Sequence, residues 1–479
     1  MSDESSIEVA ATSEPVPEQM PRHGDLTKGP LLKTLIAFSI PMLIGNVIQT
    51  LNGSINAIWI GRLLGEKALA ATTTTNGVMF LMFALVFGFG NATTVRVGLH
   101  FGAGNGLAAR RTFGSGLGFC VALSAAIGLV GWIFAHKLLQ ILATPPESID
   151  LAITYLRVIF ISIPFGTANL MLGMGLRGAG DSKSPMQSMI LTVALDIVLN
   201  PLLIHGLGPI PAFGIAGSAI ATTVAGFGGV LLLVFKLYRN DLPLRLRGAE
   251  FGYLIPRSAE LAYILGKGMP MGAQMLLMSS AQMVVIGLVN REGLNTTAAY
   301  GASMQLWNYL QMPAFAISMA VSAMVAQNIG AGNHQRVSEV TRAGMMSNLA
   351  LSGVLSALIV GFAHPLLALF LGGASPALPI AVHIQYIVTW SFLVMGVSMI
   401  MGGTMRAYGV VIWPLIILGI AFYPIRMGFY YLFYPRLGAN ALWYAFPIAS
   451  VASVMMTTTL FTRGKWQDRR DQAYTTSPQ

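Results

Sequence analysis

Long stretches of this chain carry no charged side chain. No Asp, Glu, Lys or Arg occurs between Arg342 and Arg406, and none occurs between Lys67 and Arg96. About 20 apolar residues in a helix cross the hydrocarbon core of a bilayer, so runs of this length predict transmembrane helices. Lipid permits only helices and closed barrels, and these runs are too long and too uniformly apolar for barrel strands.

The composition excludes the other broad classes of protein. Hydrophobic residues make up 54% of the 479 residues and charged residues 10%, whereas soluble domains carry about 25% charged residues. A disordered chain would need low hydrophobicity and high charge. One cysteine leaves no disulfide scaffold and no cysteine-based metal or redox motif. We therefore predict an all-α integral membrane protein.

Twelve transmembrane helices are predicted. The longest uncharged runs are divided by turns rich in Gly and Pro, at 371–376 and at 206–211. The predicted spans cover residues 31–61, 68–98, 112–137, 150–175, 184–206, 213–238, 259–290, 298–328, 338–370, 378–405, 409–434 and 439–462.

The basic residues predict the orientation of these spans. With the N-terminus in the cytoplasm, 21 of the 28 Lys and Arg residues lie on the cytoplasmic side and five in external loops, as the positive-inside rule requires. Arg157 and Arg426 fall within spans. The net charge of +10 then faces the anionic inner leaflet and implies no nucleic-acid partner. We expect a multi-pass plasma membrane protein, in a bacterial inner membrane, with both termini cytoplasmic.

The chain contains an internal repeat. Five features recur at one offset of 228 or 229 positions: Pro41 and Pro270, Arg62 and Arg291, Arg177 and Arg406, Gly180 and Gly409, and Gly-Ala-Gly-Asn at 102–105 and 330–333. Because each half holds six spans, an even number, both halves enter the membrane in the same direction. We therefore predict two homologous six-helix lobes related by a pseudo-two-fold axis along the membrane normal, with a solute site between them, as in alternating-access carriers.

The repeat and the charge pattern together divide the chain into five segments. The acidic start has no basic segment followed by an apolar run, so we expect no cleavable signal peptide. The predicted segments are a disordered cytoplasmic tail at 1–29, an N-lobe at 30–238, a cytoplasmic linker at 239–258, a C-lobe at 259–462 and a second cytoplasmic tail at 463–479.

Asp196 is the one acidic residue placed deep within a predicted span. An ionisable group at that depth is expensive and is functional by default, so Asp196 is the candidate cation-coupling residue. The alternative is a structural aspartate neutralised by an arginine, for which Arg157 and Arg426 are the candidate charge partners. His205 and His383 are weaker proton-relay candidates.

Prolines and methionines supply the remaining candidates. Pro41 and Pro270 interrupt the first helix of each half, where proline removes a backbone hydrogen bond and creates either a packing kink or a hinge. Eighteen of the 27 methionines follow residue 240, and flexible thioethers suit a promiscuous binding surface as well as an ordinary core. The candidate substrate cavity is formed by Gln274, Met278, Gln282, Met395 and Met399.

Several motifs, taken in order, resemble those of the multidrug and toxic compound extrusion (MATE) family of cation-coupled exporters. They are the Gly-Ala-Gly-Asn loops, Gly-Leu-Arg-Gly-Ala-Gly-Asp at 175–181, Asn-Pro-Leu-Leu-Ile at 200–204 and Gly-Ile-Ala-Gly-Ser-Ala at 214–219. The resemblance covers roughly residues 30–462 and implies two lobes around a central cavity, with drugs or toxic organic cations exported against inward protons or sodium.

The resemblance also places Asn56 and Asn200 beside Asp196. Asn56 stands where family members often have an aspartate, and the acids that the sodium-coupled NorM-type branch carries in spans 7 and 10 are absent around Met278 and Met395. Sodium usually requires several oxygen ligands, and Asn56 removes one negative charge, so proton coupling is favoured over sodium coupling.

The predicted function is a monomeric secondary antiporter that exports amphipathic or cationic organic compounds without a cofactor. No Walker motif occurs, so an ion gradient rather than ATP would supply the energy. A flippase for lipid-linked precursors is the rival transporter, disfavoured because no arginine cluster is evident within the helices. A membrane enzyme would need a catalytic cluster at membrane depth.

Overall fold

The computed structural model describes residues 24–141, 144, 146–206 and 211–464. Most of the two predicted tails, residues 1–23 and 465–479, and the middle of the turn at 206–211 lie outside the described residues.

Twelve helices long and apolar enough to cross a membrane follow one another through the described ranges, which confirms the predicted number. They are α1 (Leu31–Leu64), α2 (Glu66–Gly102), α3 (Gly106–Ile141), α4 (Ile149–Gly178), α5 (Lys183–His205), α6 (Ile215–Arg239), α7 (Ser258–Arg291), α8 (Leu294–Gly330), α9 (His334–Gly361), α10 (Ala377–Ala407), α11 (Ile412–Leu437) and α12 (Asn440–Thr462).

Three short helices lie between the spans of the described chain, and the first is a single 3₁₀ turn, Pro146–Ser148, before α4. Ala363–Leu371 follows α9 after Phe362 and lies within the predicted ninth span. A 3₁₀ helix, Gly248–Leu254, forms in the linker and packs on α3, where the backbone of Tyr253 and Leu254 leaves no room for a Cβ at Gly114 or Gly118. The linker is therefore attached to the first lobe rather than free in solvent.

The helices form two lobes, α1–α6 and α7–α12, with the same internal packing. In the first lobe α4 packs against α2, α3 and α6, and in the second lobe α10 packs against α8, α9 and α12. The two lobes meet where α2 packs on α7 and, equivalently, α8 packs on α1. This arrangement confirms the predicted pseudo-two-fold relation between six-helix lobes.

The lobes approach most closely through glycines. We call the end of the bundle at which α1 begins and α12 ends the terminal end. There Gly102 of α2 lies against the backbone carbonyl of Gln327 in α8, and Gly330 of α8 lies against the carbonyl of Leu99. Halfway along, Gly88 of α2 contacts the α7 backbone. A Cβ at these positions would collide with backbone, so the lobes are held together at this end of the bundle.

A buried ion pair joins the lobes at the same end. Arg96 Nε of α2 lies 3.5 Å from Glu260 Oε2 of α7, and both side chains are buried. The hydroxyl of Thr112 in α3 donates to the same carboxylate oxygen at 2.8 Å. The Arg96 guanidinium also lies 4.4 Å from the ring centre of Tyr263. Separating the lobes here would leave a buried charge without its partner. The ion pair therefore favours the arrangement in which the lobes are in contact at the terminal end.

Residues 24–29, which the sequence assigns to the N-terminal tail, pack between the lobes instead. Leu26 is buried, and its backbone N–H donates to Gln327 Oε1 at 3.0 Å. Gln327 Nε2 in turn donates to the carbonyl of Gly178 in α4 at 2.9 Å. These residues of the predicted tail are therefore part of the folded bundle, because an apolar side chain and a buried amide of the second lobe hold them.

The two predicted hinge prolines lie inside continuous helices. Pro41 lies within α1 and Pro270 within α7. Pro270 stands between Gly268 and Gly272, which contact α2 of the first lobe. The distorted helix is α11, where Ala421–Ile425 forms a π-turn that contains Pro424. A π-turn inside an α-helix is often found at a functional site.

Candidate functional site

Asp196 lies in the interior of the first lobe and is 1% exposed. It is 13 residues from the start of α5, which is about 20 Å along the helix axis. Among the described acids it is the only one more than two turns from both ends of its helix. Asp196 therefore lies in the middle part of its helix, as the sequence predicts.

Four side-chain donors surround the Asp196 carboxylate. Asn52 Nδ2 and Asn56 Nδ2 of α1 donate to Oδ2 at 2.9 and 2.6 Å. Asn200 Nδ2 of α5 and the Thr222 hydroxyl of α6 donate to Oδ1, each at 3.1 Å. Three helices thus supply a neutral cage of donors, which we call the Asp196 cage. Each of these donors is uncharged, so none of them neutralises a negative charge on Asp196.

The Asp196 cage also contains acceptors without donors. Asn52 Oδ1 and Asn200 Oδ1 are buried and have no hydrogen-bond partner among the described residues. Asn56 Oδ1 accepts from Asn200 Nδ2 at 3.2 Å, which links the two asparagines that the sequence placed beside Asp196. Unsatisfied buried acceptors are costly, so this site has spare capacity to receive a proton or a cation.

Neither predicted arginine partner reaches Asp196. Arg157 is exposed on the outside of the bundle, with its guanidinium 5.2 Å from the ring centre of Trp132. Arg426 is buried in the other lobe between the rings of Phe422 and Phe446. No described basic residue forms an ion pair with Asp196. Residues at similar depth along their helices can point to different sides of the bundle, as Arg157 and Asp196 do.

The two histidines also lie away from Asp196. His205 is the exposed last residue of α5. His383 of α10 lies 3.0 Å from Asn440 Oδ1 of α12, in the second lobe. Neither is a hydrogen-bond partner of the Asp196 cage.

Sequence reasoning missed two members of the Asp196 cage. Asn52 lies one turn before Asn56 on the same face of α1, so helical spacing could have indicated it. Thr222 carried no such signal, because α6 contains many small and hydroxyl residues.

The second lobe contains a cavity of about 550 Å³ between α7, α8, α10, α11 and α12, with α2 of the first lobe closing one side. We call it the second-lobe cavity. All five predicted substrate residues, Gln274, Met278, Gln282, Met395 and Met399, line it. Eight methionines line it in all, and its volume is typical of a site for a drug-sized ligand.

Both predicted glutamines of the second-lobe cavity, Gln274 and Gln282, already form hydrogen bonds. Gln274 Nε2 donates to the carbonyl of Val411 at 3.1 Å and ties α7 to the start of α11. Gln282 Nε2 donates to the Tyr300 hydroxyl at 2.6 Å. They shape the wall and leave their carbonyl oxygens as the groups that could meet a ligand.

Two guanidiniums line the second-lobe cavity as well. Arg406 near the end of α10 and Arg426 of α11 both belong to its wall. The lack of an arginine cluster within the helices was the argument against a flippase, and the structure shows two arginines from two helices in the wall of one cavity. Of the 34 lining residues that the structure describes, none is Asp or Glu.

Comparisons with known proteins cover nearly the whole chain. The family model described as MatE matches residues 41–202 and 270–432, once in each lobe. The "Probable multidrug resistance protein YoeA" of Bacillus subtilis (strain 168) is 33% identical over 432 residues, which are 90% of this chain and 93% of that protein.

Two further comparisons concern a second relative and a solved structure. A protein of Shewanella oneidensis named "FAD transporter" is 28% identical over 349 residues, 73% of this chain and 76% of its own length. A structure described as the outward-facing conformation of a multidrug resistance MATE family transporter superposes with a TM-score of 0.86, at 23% identity, over 95% of this chain and all of that one.

Proposed function

The chain belongs to the MATE family, and we propose that it is a secondary antiporter that exports amphipathic organic compounds in exchange for protons. The relative YoeA is named a probable multidrug resistance protein and a second relative is named an FAD transporter, and both names are consistent with organic cargo. The proposed cargo site is the second-lobe cavity and the proposed coupling site is the Asp196 cage.

The observation that carries the proton proposal is a buried carboxylate with four neutral donors and no counter-cation. Burying an isolated charge is costly even when it is hydrogen-bonded. Binding a proton would neutralise the Asp196 carboxylate, and binding a cation would balance its charge. The cage therefore suits an ion that a membrane gradient can supply. An arginine beside Asp196 would balance the charge permanently, and no such ion would be needed.

The cage can adapt to both charge states of Asp196. When the carboxyl is protonated, its O–H needs an acceptor, and the side-chain amide of Asn52 can supply one by rotating its unsatisfied Oδ1 toward Asp196. Asparagine both donates and accepts, unlike lysine or arginine. Binding and release of a proton therefore require only side-chain rearrangement.

Coupling requires that proton binding and cargo binding favour different arrangements of the lobes. In this structure α2 and α8 hold the lobes together at the terminal end through glycine contacts and the Arg96–Glu260 pair. Opening that end would separate α2 from α7 and α8. Because α2 also closes one side of the second-lobe cavity, the same movement would change access to the cargo site.

Sodium is the second candidate ion, and one observation favours it. Asn52 Oδ1 and Asn200 Oδ1 are buried without donors beside the carboxylate, and a hard cation binds through several oxygen ligands of this kind.

The experiment imposes each gradient separately on proteoliposomes and follows ethidium, rhodamine 123 and fluorescein by fluorescence. Proton antiport predicts that a pH gradient alone drives accumulation of at least one dye, and that a sodium gradient alone drives none. Dye accumulation driven by a sodium gradient alone would identify sodium, and not the proton, as the coupling ion. If neither gradient moves any dye in protein that retains its fold, secondary antiport is refuted.

A further inference from the structure

The second-lobe cavity contains positive charge that the proposed function does not use. Arg406 and Arg426 line it, and the described residues of its wall include no acid. A buried charge in a protein is normally paired or bound to a ligand of opposite sign.

Arg426 is the better-buried of the two, with 6% of its surface exposed. Its guanidinium carbon lies 4.5 Å from the ring centre of Phe422 and 4.2 Å from that of Phe446. Arg426 donates no hydrogen bond to any described residue, and its buried Nε has no partner. Two aromatic faces hold the plane of the guanidinium, while its donors are unsatisfied.

The local fold of α11 builds this position. The π-turn at Ala421–Ile425 ends immediately before Arg426 and contains Phe422, one of the two rings that hold it. Phe446 of α12 supplies the other ring and also lies 5.8 Å from Trp307 of α8, centre to centre. The guanidinium is therefore part of an aromatic wall that spans three helices.

Arg406 lies toward the terminal end of the same cavity. Its NH2 group donates to the Ser318 hydroxyl at 2.9 Å, and that hydroxyl donates to the carbonyl of Met399 at 2.6 Å. The adjacent Gly402 and Gly403 carry no side chain that would cover the guanidinium. Arg406 forms no ion pair with a described residue, so its charge also faces the cavity without compensation.

We propose that the second-lobe cavity binds amphipathic anions, with a phosphate, sulfonate or carboxylate group at a guanidinium and an aromatic body against the Trp307–Phe446 wall. Arginine suits this role because its planar donor fork matches such oxyanions. The methionines that line the cavity can adapt to the shape of the apolar body. Selectivity for anions follows from two unpaired guanidiniums and no carboxylate in the described wall.

This inference names the cargo class of the proposed exporter. It rests on the proposed function only in taking the bound anion to be exported. Binding can be measured at equilibrium without any gradient. A failure of ion coupling would appear in transport alone, whereas a failure of anion selectivity would appear in binding alone.

The test compares two dyes that share a xanthene core and differ in charge, anionic fluorescein and cationic rhodamine 123. Fluorescence anisotropy with the purified full-length protein at pH 8 should give at least tenfold tighter binding of fluorescein, and added salt should weaken it. Equal or tighter binding of rhodamine 123 by the parental protein would overturn the proposal, and this comparison needs no variant.

Variants then assign the site. Arg426→Gln should weaken fluorescein binding at least tenfold and leave rhodamine 123 unchanged or tighter, and Arg406→Gln should act in the same direction. Arg157→Gln is the matched control, because that arginine faces outward over Trp132, and it should change neither affinity. If Arg426→Gln and Arg406→Gln retain parental fluorescein affinity, the arginines do not bind the anion.

A last arm distinguishes a soluble anion from an anionic lipid, since both carry the same group. Water-soluble dihexanoyl phosphatidic acid and inorganic pyrophosphate are each titrated against bound fluorescein. Displacement at lower concentration by phosphatidic acid would identify a lipid-type anion, and comparable displacement by both would identify the charged group as sufficient. Displacement by neither would overturn the proposal.

Discussion

Replacing Asp196 by asparagine should abolish gradient-driven export. Asp196 is the only described carboxyl group more than two turns from both ends of its helix, so we expect one proton site per transport cycle. One pH unit across the membrane provides about 1.4 kcal/mol per proton, which corresponds to a tenfold concentration ratio. With the electrical potential clamped, a gradient of two units should therefore concentrate cargo about a hundredfold in the parental protein and not at all in Asp196→Asn.

The fold should survive this substitution. Asparagine keeps one acceptor oxygen in the Asp196 cage but presents an NH₂ group to two of the four donors. Losing two hydrogen bonds costs about 1–3 kcal/mol, and removing the buried charge offsets part of that loss. Thermal unfolding in detergent should show a small decrease in Tm and an intact cooperative transition.

The assay is dye accumulation in proteoliposomes as a function of the imposed pH difference. Asp150→Asn is the matched control, because it makes the same chemical change at an exposed position in the first turn of α4, and it should retain the tenfold slope per pH unit. Two results would refute the reasoning: an unchanged slope in Asp196→Asn, or a hundredfold slope per unit in the parental protein, which would require a second proton site.

Three further predictions concern the junction of the lobes and the topology. Glu260→Gln removes a buried interlobe ion pair and should destabilise the protein by about 3–5 kcal/mol. The control Glu147→Gln, in an exposed pair, should cost no more than about 1 kcal/mol. Thermal unfolding measures both, and equal shifts in Tm would contradict the structure. Gly102→Ala should cost about 1–3 kcal/mol because its Cβ meets a backbone carbonyl, but Gly77→Ala in the same helix, where the space is open, should be neutral or slightly stabilising. Reporter fusions at Asp241 and Gly373 should read cytoplasmic and external, and the reverse would overturn the predicted orientation.

The cation-coupling proposal and the anion proposal rest on neighbouring positions of the internal repeat. By that repeat Arg426 corresponds to Ile197, one position from Asp196. Both side chains are buried, Asp196 in the first lobe and Arg426 in the second. At these positions one lobe carries an acidic side chain and the other a basic one.

Sequence alone determined the number of spans, the division into two lobes and the position of Asp196 along its helix. These properties depend on distance along the chain: a helix rises about 1.5 Å per residue and an apolar bilayer has a set thickness, so position in a run gives depth. Asp196 was identifiable for this reason, whereas Asn56 and Asn200 were placed beside it by the family resemblance. The five predicted cavity residues were chosen because methionines are concentrated on two helices of the second lobe.

Only the tertiary structure decided which way each side chain points. Helices that are apolar on nearly every face have no marked polar side, so their sequences give little information about rotation around the axis. Arg157 and Asp196 could be matched in depth, yet one faces Trp132 and the other faces Asn52 and Thr222. Arg406 and Arg426 meet in one cavity because the packing of α10 and α11 aims them there.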